Sequence, residues 1–522
     1  MPARLRPRPL VTRRRTSGLV FLLAVWATGA SKAQCPDGTP PPCAARPARA
    51  PTPPPNSVAV LYFDNYSSDS GDAYLAEGLT EEIIARLGDV ARLTVKSRYA
   101  VRRYKGNDAA SDPATLGRML GVAYLVTGSV QRAGNRLRVR AELARASTGD
   151  RRWGQAYERG DGDVFAIMSD IAQNVVAGVA GSLLPSERAA LRARPTANRG
   201  AYDHLLKGDV LLAQRTPVLV RQAIAEYEAA TRLDPALLQA WAKMSVAYGV
   251  LVQRGWTPDG RPPDDSLSRR SVDAAARALA LDSLSSDAWM AAGYAAMVRD
   301  PLAWTGAEAG FRRAVALNPR NAEAWHQLGD LLGVAGRRSE AVAAYRAAIA
   351  AEPDRPVTVL SLAAGASPRE GIAACDSVLA DDPASPNAYI IRALDRLRLG
   401  DTAGARADRA SLERTIPLGE EFGARAQAAL VTFAIGDTAD ASRRAHAILA
   451  DLPASGAVHP RIAGLVAGVL YDVGDREAAL ALLERSPRGI ALWQSRRLAS
   501  WLADPRIGPI FDASRPPWAP AP

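Results

Sequence analysis

The chain has 522 residues, 48% of them hydrophobic and 6% aromatic, so it has room for two or three domains with a sizeable core. Its net charge of +11 is concentrated at one end, because residues 1–33 carry seven basic side chains and no acidic one, leaving 11 − 7 = +4 for the rest. No basic stripe with interleaved aromatic residues follows, which excludes nucleic acid as the expected partner.

The first 33 residues are organised like an export signal. They comprise an arginine-rich head, an apolar run from Gly18 to Ala30 and the sequence Ser31-Lys32-Ala33. The apolar run is short for a bilayer span but suits a secretory signal with a small-x-small cleavage site. We therefore expect cleavage after Ala33 and an exported, periplasmic or cell-envelope location. Anchoring by an uncleaved N-terminal signal is the alternative.

Residues 34–56 are predicted to form a proline-rich linker, too polar and too rich in proline to fold alone. Within it, Cys35 and Cys43 enclose a turn and a stiff proline run. An oxidising compartment would allow a disulfide between them. Two free thiols are the alternative.

Residues 57–185 alternate between strand and helix patterns, as a mixed α/β domain requires. Strands are predicted at Val58–Phe63, Thr94–Tyr99, Ala123–Gln131, Arg136–Leu143 and Arg152–Tyr157. Helices are predicted at Tyr74–Leu87, after the capping pair Asp112-Pro113, and from Asp163. Gly134-Asn135 lies between the third and fourth strands and predicts a hairpin.

Five segments of this stretch resemble the sequence of a known domain family. They are SVAVLYFDN, GLTEEIIARL, YKGND, GVAYLVTGSVQRAGNRLRVRAEL and DVFAIMSDIAQNV, in that order. The stretch resembles the FlgO-like domain, also described as TolB-amino-terminal-like. The resemblance implies a bacterial domain that commonly precedes tetratricopeptide repeats and often follows a cytoplasmic signalling domain. Only the export signal precedes it here, so we expect no signalling output of that kind.

Residues 199–485 carry a recurring pattern of paired helices. In the clearest copy, Asn321–Asp354, two helical stripes flank Gly336, namely Trp325, Leu328, Gly329 and Leu332, and then Ala341, Tyr345 and Ala348. This order and spacing resemble the tetratricopeptide repeat, and recurrence gives about eight units, some degenerate. Residues 486–522 are predicted to be a cap and tail. The predicted fold is a small α/β domain with a mixed sheet, followed by an all-α tetratricopeptide-repeat solenoid.

Motifs of common catalytic sites are missing from the sequence. Its four histidines lack partners at zinc-ligand spacing, and neither a phosphate-binding loop nor a Gly-x-Ser-x-Gly elbow occurs. Six carboxylates lie around the start of the first predicted helix: Asp64, Asp69, Asp72, Glu77, Glu81 and Glu82. Negative charge is favourable at a helix N-terminus, and a cation site is the alternative interpretation. We therefore predict that the chain is not an enzyme and holds no cofactor or metal.

Binding is the function class that the repeats favour. The resemblance implies a concave groove lined by the first helix of each unit. Counting from the recurring tryptophans gives the expected groove residues Met290, Tyr294, Met297, Glu323, His326, Asp330, Val334, Ile390 and Leu394. We interpret the chain as a protein-binding scaffold or adaptor of the bacterial cell envelope, with a protein or peptide as its partner. Peripheral association with the envelope is compatible with this interpretation.

A sensory module is the alternative interpretation. In that case the α/β domain would bind a small molecule and the repeats would relay the event. A ligand-sized pocket with convergent polar groups within residues 57–185 would favour it. The sequence predicts neither the partner's identity nor the oligomeric state.

Overall fold

A computed structural model of the protein describes residues 52–69, 72–106, 112–134, 136–160, 164–254, 256, 265–302, 304–353, 355–415, 422–489, 492 and 504–518. The predicted signal peptide, Cys35, Cys43 and most of the predicted linker lie outside these residues, as does much of the predicted cap. Those features stay predictions.

Within the described ranges, no helix combines the length and the apolar character needed to cross a membrane.

The N-terminal part is built on a mixed sheet. Its strands are β1 (Ser57–Val60), β2 (Asp64–Asn65), β3 (Thr94–Val95), β4 (Tyr124–Ala133), β5 (Arg136–Arg145) and β6 (Arg151–Gly160). The strand order is β3-β1-β4-β5-β6, and β2 also pairs with β4. β1 runs parallel to β3 and β4, whereas β4, β5 and β6 are successively antiparallel. The predicted mixed sheet is confirmed.

Five helices accompany the sheet: α1 (Ala73–Gly88), α2 (Arg98–Arg102), α3 (Pro113–Leu120), α4 (Val164–Ala180) and α5 (Pro185–Arg192). The strand predicted over Thr94–Tyr99 is wrong after its second residue. Ser97 accepts a hydrogen bond from the Ala100 amide at 3.3 Å and caps α2. A capping hydroxyl satisfies an otherwise unpaired amide of the first turn, so the chain enters a helix there.

The rest of the described chain is helical. Helices α6 to α21 lie at Arg199–Ala213, Pro217–Leu233, Leu238–Arg254, Asp265–Leu281, Ser286–Arg299, Ala307–Leu317, Ala322–Val334, Arg338–Ala351, Pro356–Ala363, Pro368–Asp381, Pro386–Arg398, Thr402–Thr415, Phe422–Ala434, Thr438–Asp451, Pro460–Asp472 and Arg476–Glu484, with α22 at Gly508–Asp512. They pair in sequence as hairpins, from α6/α7 to α20/α21. The predicted all-α solenoid is confirmed.

Glycine on the first helix and an aromatic ring on the second let the two helices of a hairpin approach closely. A Cβ atom added to Gly329 would lie 2.6 Å from the Tyr345 ring, and one added to Gly208 would lie 2.4 Å from the Tyr227 ring. Real Cβ atoms do not come so close, because interiors are already packed to near-crystalline density. The glycine of the Leu-Gly pair and the aromatic position of the repeat pattern therefore form one packing contact, in which the glycine leaves the space that the ring fills.

The recurring tryptophans fasten one hairpin to the next. Each indole donates to the carbonyl oxygen six residues earlier, where the preceding hairpin ends: Trp241 to Pro235 at 2.9 Å, Trp289 to Ser283 at 2.8 Å and Trp325 to Pro319 at 2.9 Å. This shared contact explains why a tryptophan follows the end of these repeats at a fixed distance.

One hydrophobic core runs from beneath the sheet into the first repeats, and it includes Val58, Leu79, Ile171, Tyr202 and Tyr227. Polar contacts cross the same junction, since the Tyr74 hydroxyl donates to Asp203 at 2.8 Å. The N-terminal part is thus packed directly on α6, and this packing positions α2 relative to the solenoid.

Candidate protein-binding groove

The inner face of the solenoid encloses a groove of about 1560 Å³. Much of its lining comes from the first helices of hairpins, namely α8, α10, α12, α14, α16 and α20, and the second helices α9 and α15 add further residues. The N-terminal part adds Tyr99 and Arg102 from α2 and Arg103 directly after it, and residues 487–489 add the C-terminal border. Segments from near both ends of the described chain therefore bound a single groove.

Contacts between distant segments bring the borders of the groove together. Nε2 of His459, at the start of α20, lies 3.3 Å from the Val252 carbonyl oxygen on α8. On the other side, Arg103, directly after α2, donates to Asp381 of α15 at 2.6 Å. The solenoid thus curls until its last repeats meet its early ones, while α2 reaches across to the middle repeats.

A buried ionic cluster fixes one wall. Glu323 of α12 accepts hydrogen bonds from Arg215 at 3.2 Å and from Arg355, and its side chain is only 14% exposed. The Tyr294 hydroxyl also donates to it. Burial disfavours the carboxylate form, but the charges of Arg355 and Arg215 outweigh burial and hold the pKa of Glu323 well below its ordinary value. The carboxylate therefore ties three separate segments of the chain together.

Two histidines line the groove as neutral side chains. Burial lowers the pKa of His459 to about 4. Burial also lowers the pKa of His326, outweighing the neighbouring carboxylates of Asp330 and Glu323. Nε2 of His326 lies 3.4 Å from Asp330, whose other oxygen accepts a hydrogen bond from Tyr345 at 2.7 Å. At neutral pH these imidazoles contribute hydrogen-bonding groups to the lining and no charge.

Six of the nine predicted groove residues line the groove, although the surrounding packing differs from one to another: Met297, Glu323, His326, Asp330, Val334 and Ile390. Met297, His326 and Ile390 are largely buried, at 5%, 2% and 6% exposure. Asp330, whose side chain is 42% exposed, and the half-buried Val334 offer more surface to an occupant.

The other three predicted residues are not among those that line this cavity. Tyr294 is 1% exposed and packs edge-on against Phe311 with ring centroids 5.9 Å apart. Met290 is 8% exposed within the same core, and Leu394 packs against a separate apolar cluster. Counting from the tryptophans treats every repeat alike, but in α10 the large ring at this position turns toward its partner helix and fills the core.

Counting within repeats also missed the groove residues that lie between helices. Arg215 follows α6, Trp304 follows α10 and Arg355 precedes α14. Arg215 and Trp304 have φ of 51°, and they are the non-glycine residues with positive φ in the described part of the chain. Such conformations cost about 1–3 kcal/mol each and tend to gather where a surface is shaped for binding. No periodic signal in the sequence identifies these positions.

Four of the six carboxylates around the first helix form ion pairs with basic side chains of the protein. Glu77 pairs with Lys105 at 2.6 Å, Glu81 with Arg98 at 2.9 Å and Glu82 with Arg86 at 2.6 Å, while Asp72 pairs with Arg132 at 2.8 Å. Among the described residues, no group of three His, Cys, Asp or Glu side chains is arranged to hold a metal ion. Basic side chains of the protein therefore balance the negative charge of these four carboxylates.

No protein-family model matches the chain. A curated protein of Rhizobium meliloti (strain 1021), named "Putative adenylate cyclase 3", is 31% identical over 220 residues. The match covers 42% of this chain and 37% of that protein, so the chain spans little more than a third of the relative's length. The FlgO-like resemblance of residues 57–185 stays a prediction.

Solved structures with a similar backbone arrangement include tetratricopeptide-repeat proteins. The thermophilic TPR protein TTC0263 of Thermus thermophilus is 18% identical, with a TM-score of 0.32, over 38% of this chain and 99% of that one. PilF of Pseudomonas aeruginosa is 18% identical, with a TM-score of 0.32, over 42% and 94%. The Cut9–Hcn1 hetero-tetramer of the APC/C is 11% identical, with a TM-score of 0.44, over 67% and 63%.

The curated relative corrects one prediction from the sequence. We predicted that the chain is not an enzyme, because known catalytic motifs are missing. The relative's name is that of an enzyme, so the prediction is contradicted. A search for short motifs cannot detect a similarity that is spread over 220 residues. What the geometry of the described residues establishes is an all-α solenoid of paired helices.

Proposed function

We propose that the chain is a protein-binding scaffold or adaptor that holds a segment of a partner protein in its groove. The observation that carries this proposal is the groove's size, about 1560 Å³, together with its position along the inner faces of the repeats. Sites for small molecules usually measure about 300–1,000 Å³. A groove larger than this range, running along a helical array, suits an extended or helical peptide better than a small ligand.

The character of the lining supports the same proposal. Val334, Val359 and Ile391 line the groove and are half-buried, so they retain apolar surface for a partner's side chains. The Glu323 cluster fixes α12, which carries Val334, to Arg355 at the start of α14. Pre-organised surfaces lose less conformational entropy on binding, which favours affinity.

The proposal extends to location and to the N-terminal domain. The arginine-rich head and short apolar run of residues 1–33 support export to the periplasm or cell envelope. The five sequence segments within residues 57–185 that match in order support a FlgO-like domain. In this proposal that domain docks the adaptor to the envelope or to a second component.

The sensory alternative receives less support. A second cavity, bounded by Leu75, Arg132 and Phe165 among others, has a volume of about 40 Å³. This is far below the roughly 300 Å³ at which small-molecule sites begin. The cavity gives no reason to assign a ligand to the N-terminal part.

A matched pair of variants tests the scaffold proposal. The full-length tagged chain is used to capture partners in its native host, as wild type, as Val334→Arg in the groove and as Val218→Arg, which is 60% exposed outside it. We expect Val334→Arg to reduce recovery of the specific partner at least tenfold and Val218→Arg to leave it unchanged, with both variants retaining wild-type helicity. Undiminished recovery with Val334→Arg would refute the proposal.

The name of the curated relative supports a second candidate, adenylate cyclase activity. The purified full-length chain would be incubated with ATP and Mg²⁺ or Mn²⁺, with heat-denatured protein as control. Cyclic AMP formed above that control would support this candidate. Formation equal to the control under both metals would reject it, and neither result depends on the groove.

A further inference from the structure

The groove is electrically asymmetric. Nine arginines and six carboxylates line it, an excess of 9 − 6 = +3 that the two neutral histidines do not change. Five of the arginines come from α8, α9, the end of α10, the start of α20 and the segment after α21, and we call them the arginine rim: Arg254, Arg269, Arg299, Arg461 and Arg488. The same border contains Asp265 and Asp273 as its carboxylates, so five positive charges face two negative ones.

The curl of the solenoid assembles this rim. Val252 and His459 meet at 3.3 Å, and Arg254 and Arg461 each lie two residues beyond one of them. A Cβ atom added to Gly489 would lie 3.0 Å from the Pro301 carbonyl oxygen, which brings Arg488 near Arg299. Arginines more than 180 residues apart in sequence are thereby concentrated at one border. Like charges gathered in this way repel one another, and an anionic partner relieves the repulsion.

Three of the five rim arginines remain available to such a partner. Arg254, Arg269 and Arg299 are exposed, and within the described part of the chain none of the three pairs with a carboxylate. Arg488 donates to the carbonyl oxygens of Leu483 and Ser486, contacts that orient its guanidinium without neutralising its charge.

Away from the rim the lining changes character. Four arginines and four carboxylates line the groove there, so their charges cancel, and they lie beside apolar side chains such as Val357 and Ile391. A nucleic acid strand carries negative charge along its whole length and would find no net positive charge in this region. A peptide can place its acidic residues at one end only, so it fits both regions.

Building on the proposed function, we infer that the occupant is an extended segment of a partner protein in which a run of acidic side chains is followed by apolar ones. The acidic run lies on the arginine rim, and the apolar residues lie against α14 and α16. Trp256 and Trp304 line the groove beside the rim. They supply aromatic surface at the point where the acidic run of the partner segment gives way to its apolar residues. The chain's own residues 1–51 do not match this description, because they hold nine basic residues and one acidic residue.

Fluorescence anisotropy with the full chain tests this inference. The probe is a fluorescein-labelled peptide of about twelve residues, roughly 40 Å when extended, with Glu and Asp in its first half and Leu and Val in its second. Comparison probes replace the acids with Gln or with Lys, and a twelve-nucleotide oligothymidylate represents nucleic acid. We expect the acidic peptide to bind at least tenfold tighter than the other three probes, and more weakly as NaCl rises from 0.05 to 0.3 M.

Matched charge reversals locate the interaction. Arg254, Arg269 and Arg299 are changed together to Glu, and the control changes Arg277, Arg313 and Arg346, which are exposed outside the groove. The first variant should weaken acidic-peptide binding at least tenfold and the control less than twofold.

Three results would overturn the inference. In the first, the Gln peptide binds the wild-type chain as tightly as the acidic peptide does, and it binds the Val334→Arg variant more weakly; the scaffold proposal then stays intact. In the second, the acidic peptide does not bind, but Val334→Arg still abolishes capture of the partner; the scaffold proposal again stays intact. Tighter binding of oligothymidylate than of the acidic peptide would assign the rim to nucleic acid instead.

Discussion

Replacing Glu323 with Gln tests whether the ionic cluster holds the groove wall. The change keeps the shape of the side chain but removes its charge, leaving Arg215 and Arg355 without their shared counterion. The Arg355 side chain is 6% exposed and that of Glu323 14%, so water screens the loss poorly. Removing one partner of a buried ion pair typically costs about 3–5 kcal/mol. Since the amide oxygen of Gln still accepts a hydrogen bond, we expect about 3 kcal/mol.

Hydrogen exchange measures this cost where it arises. A loss of about 3 kcal/mol corresponds to roughly hundredfold faster exchange in segments that open with the cluster, namely α7, α12 and α14. The control is Glu308→Gln, whose carboxylate is 35% exposed and pairs with Arg312 and Arg337. Exposed ion pairs contribute at most about 1 kcal/mol, so this variant should exchange nearly as the wild type does.

The pH dependence gives a second, independent readout. Folding lowers the pKa of Glu323 below its ordinary value of 4.5. Its contribution to stability is therefore present above pH 4.5 and is lost as the pH falls through the folded-state pKa. Glu323→Gln should flatten that acid-side loss. The account of the cluster is refuted if Glu323→Gln and Glu308→Gln show the same exchange and the same pH profile.

Two further changes test features of the fold. Burial lowers the pKa of His459 from 6.5 to about 4, so stability should fall by roughly 3 kcal/mol as the pH drops from 6.5 to 4. Urea unfolding of His459→Gln should show a smaller loss of unfolding free energy over this pH range than the wild type does. The control His446→Gln should not make that loss smaller, since hydrogen bonds to Ser442 and Asp475 raise the pKa of His446. Gly329→Ala should destabilise the hairpin by about 1–2 kcal/mol because its Cβ meets the Tyr345 ring. Gly333→Ala should instead raise the melting temperature, because its Cβ would lie 3.8 Å from its nearest neighbour, the Tyr345 hydroxyl.

The sequence predicted the fold well because the signals for it are local. The alternation of Leu137, Val139, Ala141 and Leu143 with charged residues is a pattern of adjacent positions, and β5 buries all four. The spacing between Gly329 and Tyr345 likewise reflects contact within one hairpin. Where a side-chain hydroxyl opposes propensity, as Ser97 does at the start of α2, the prediction failed by a few residues.

The groove was predictable only in part, since much of it depends on contacts between distant segments. Val334 and Asp330 follow from repeat spacing alone. By contrast, Arg215 meets Glu323 across 108 residues, and α2 meets α15 through Arg103 and Asp381, which are separated by 278. The curvature of the solenoid determines both contacts. Curvature is the sum of small rotations between repeats, and no single repeat encodes it.

Photo-crosslinking in the native host tests the central claim, that the groove holds a partner segment, most directly. A photoreactive phenylalanine analogue would replace Val334 in the groove or, as control, Arg346, which is exposed outside it. The account predicts that the Val334 position crosslinks to one defined protein, within an acidic-to-apolar segment, and that the Arg346 position does not. Crosslinks to the same partner from position 346 alone, with none from position 334, would contradict it.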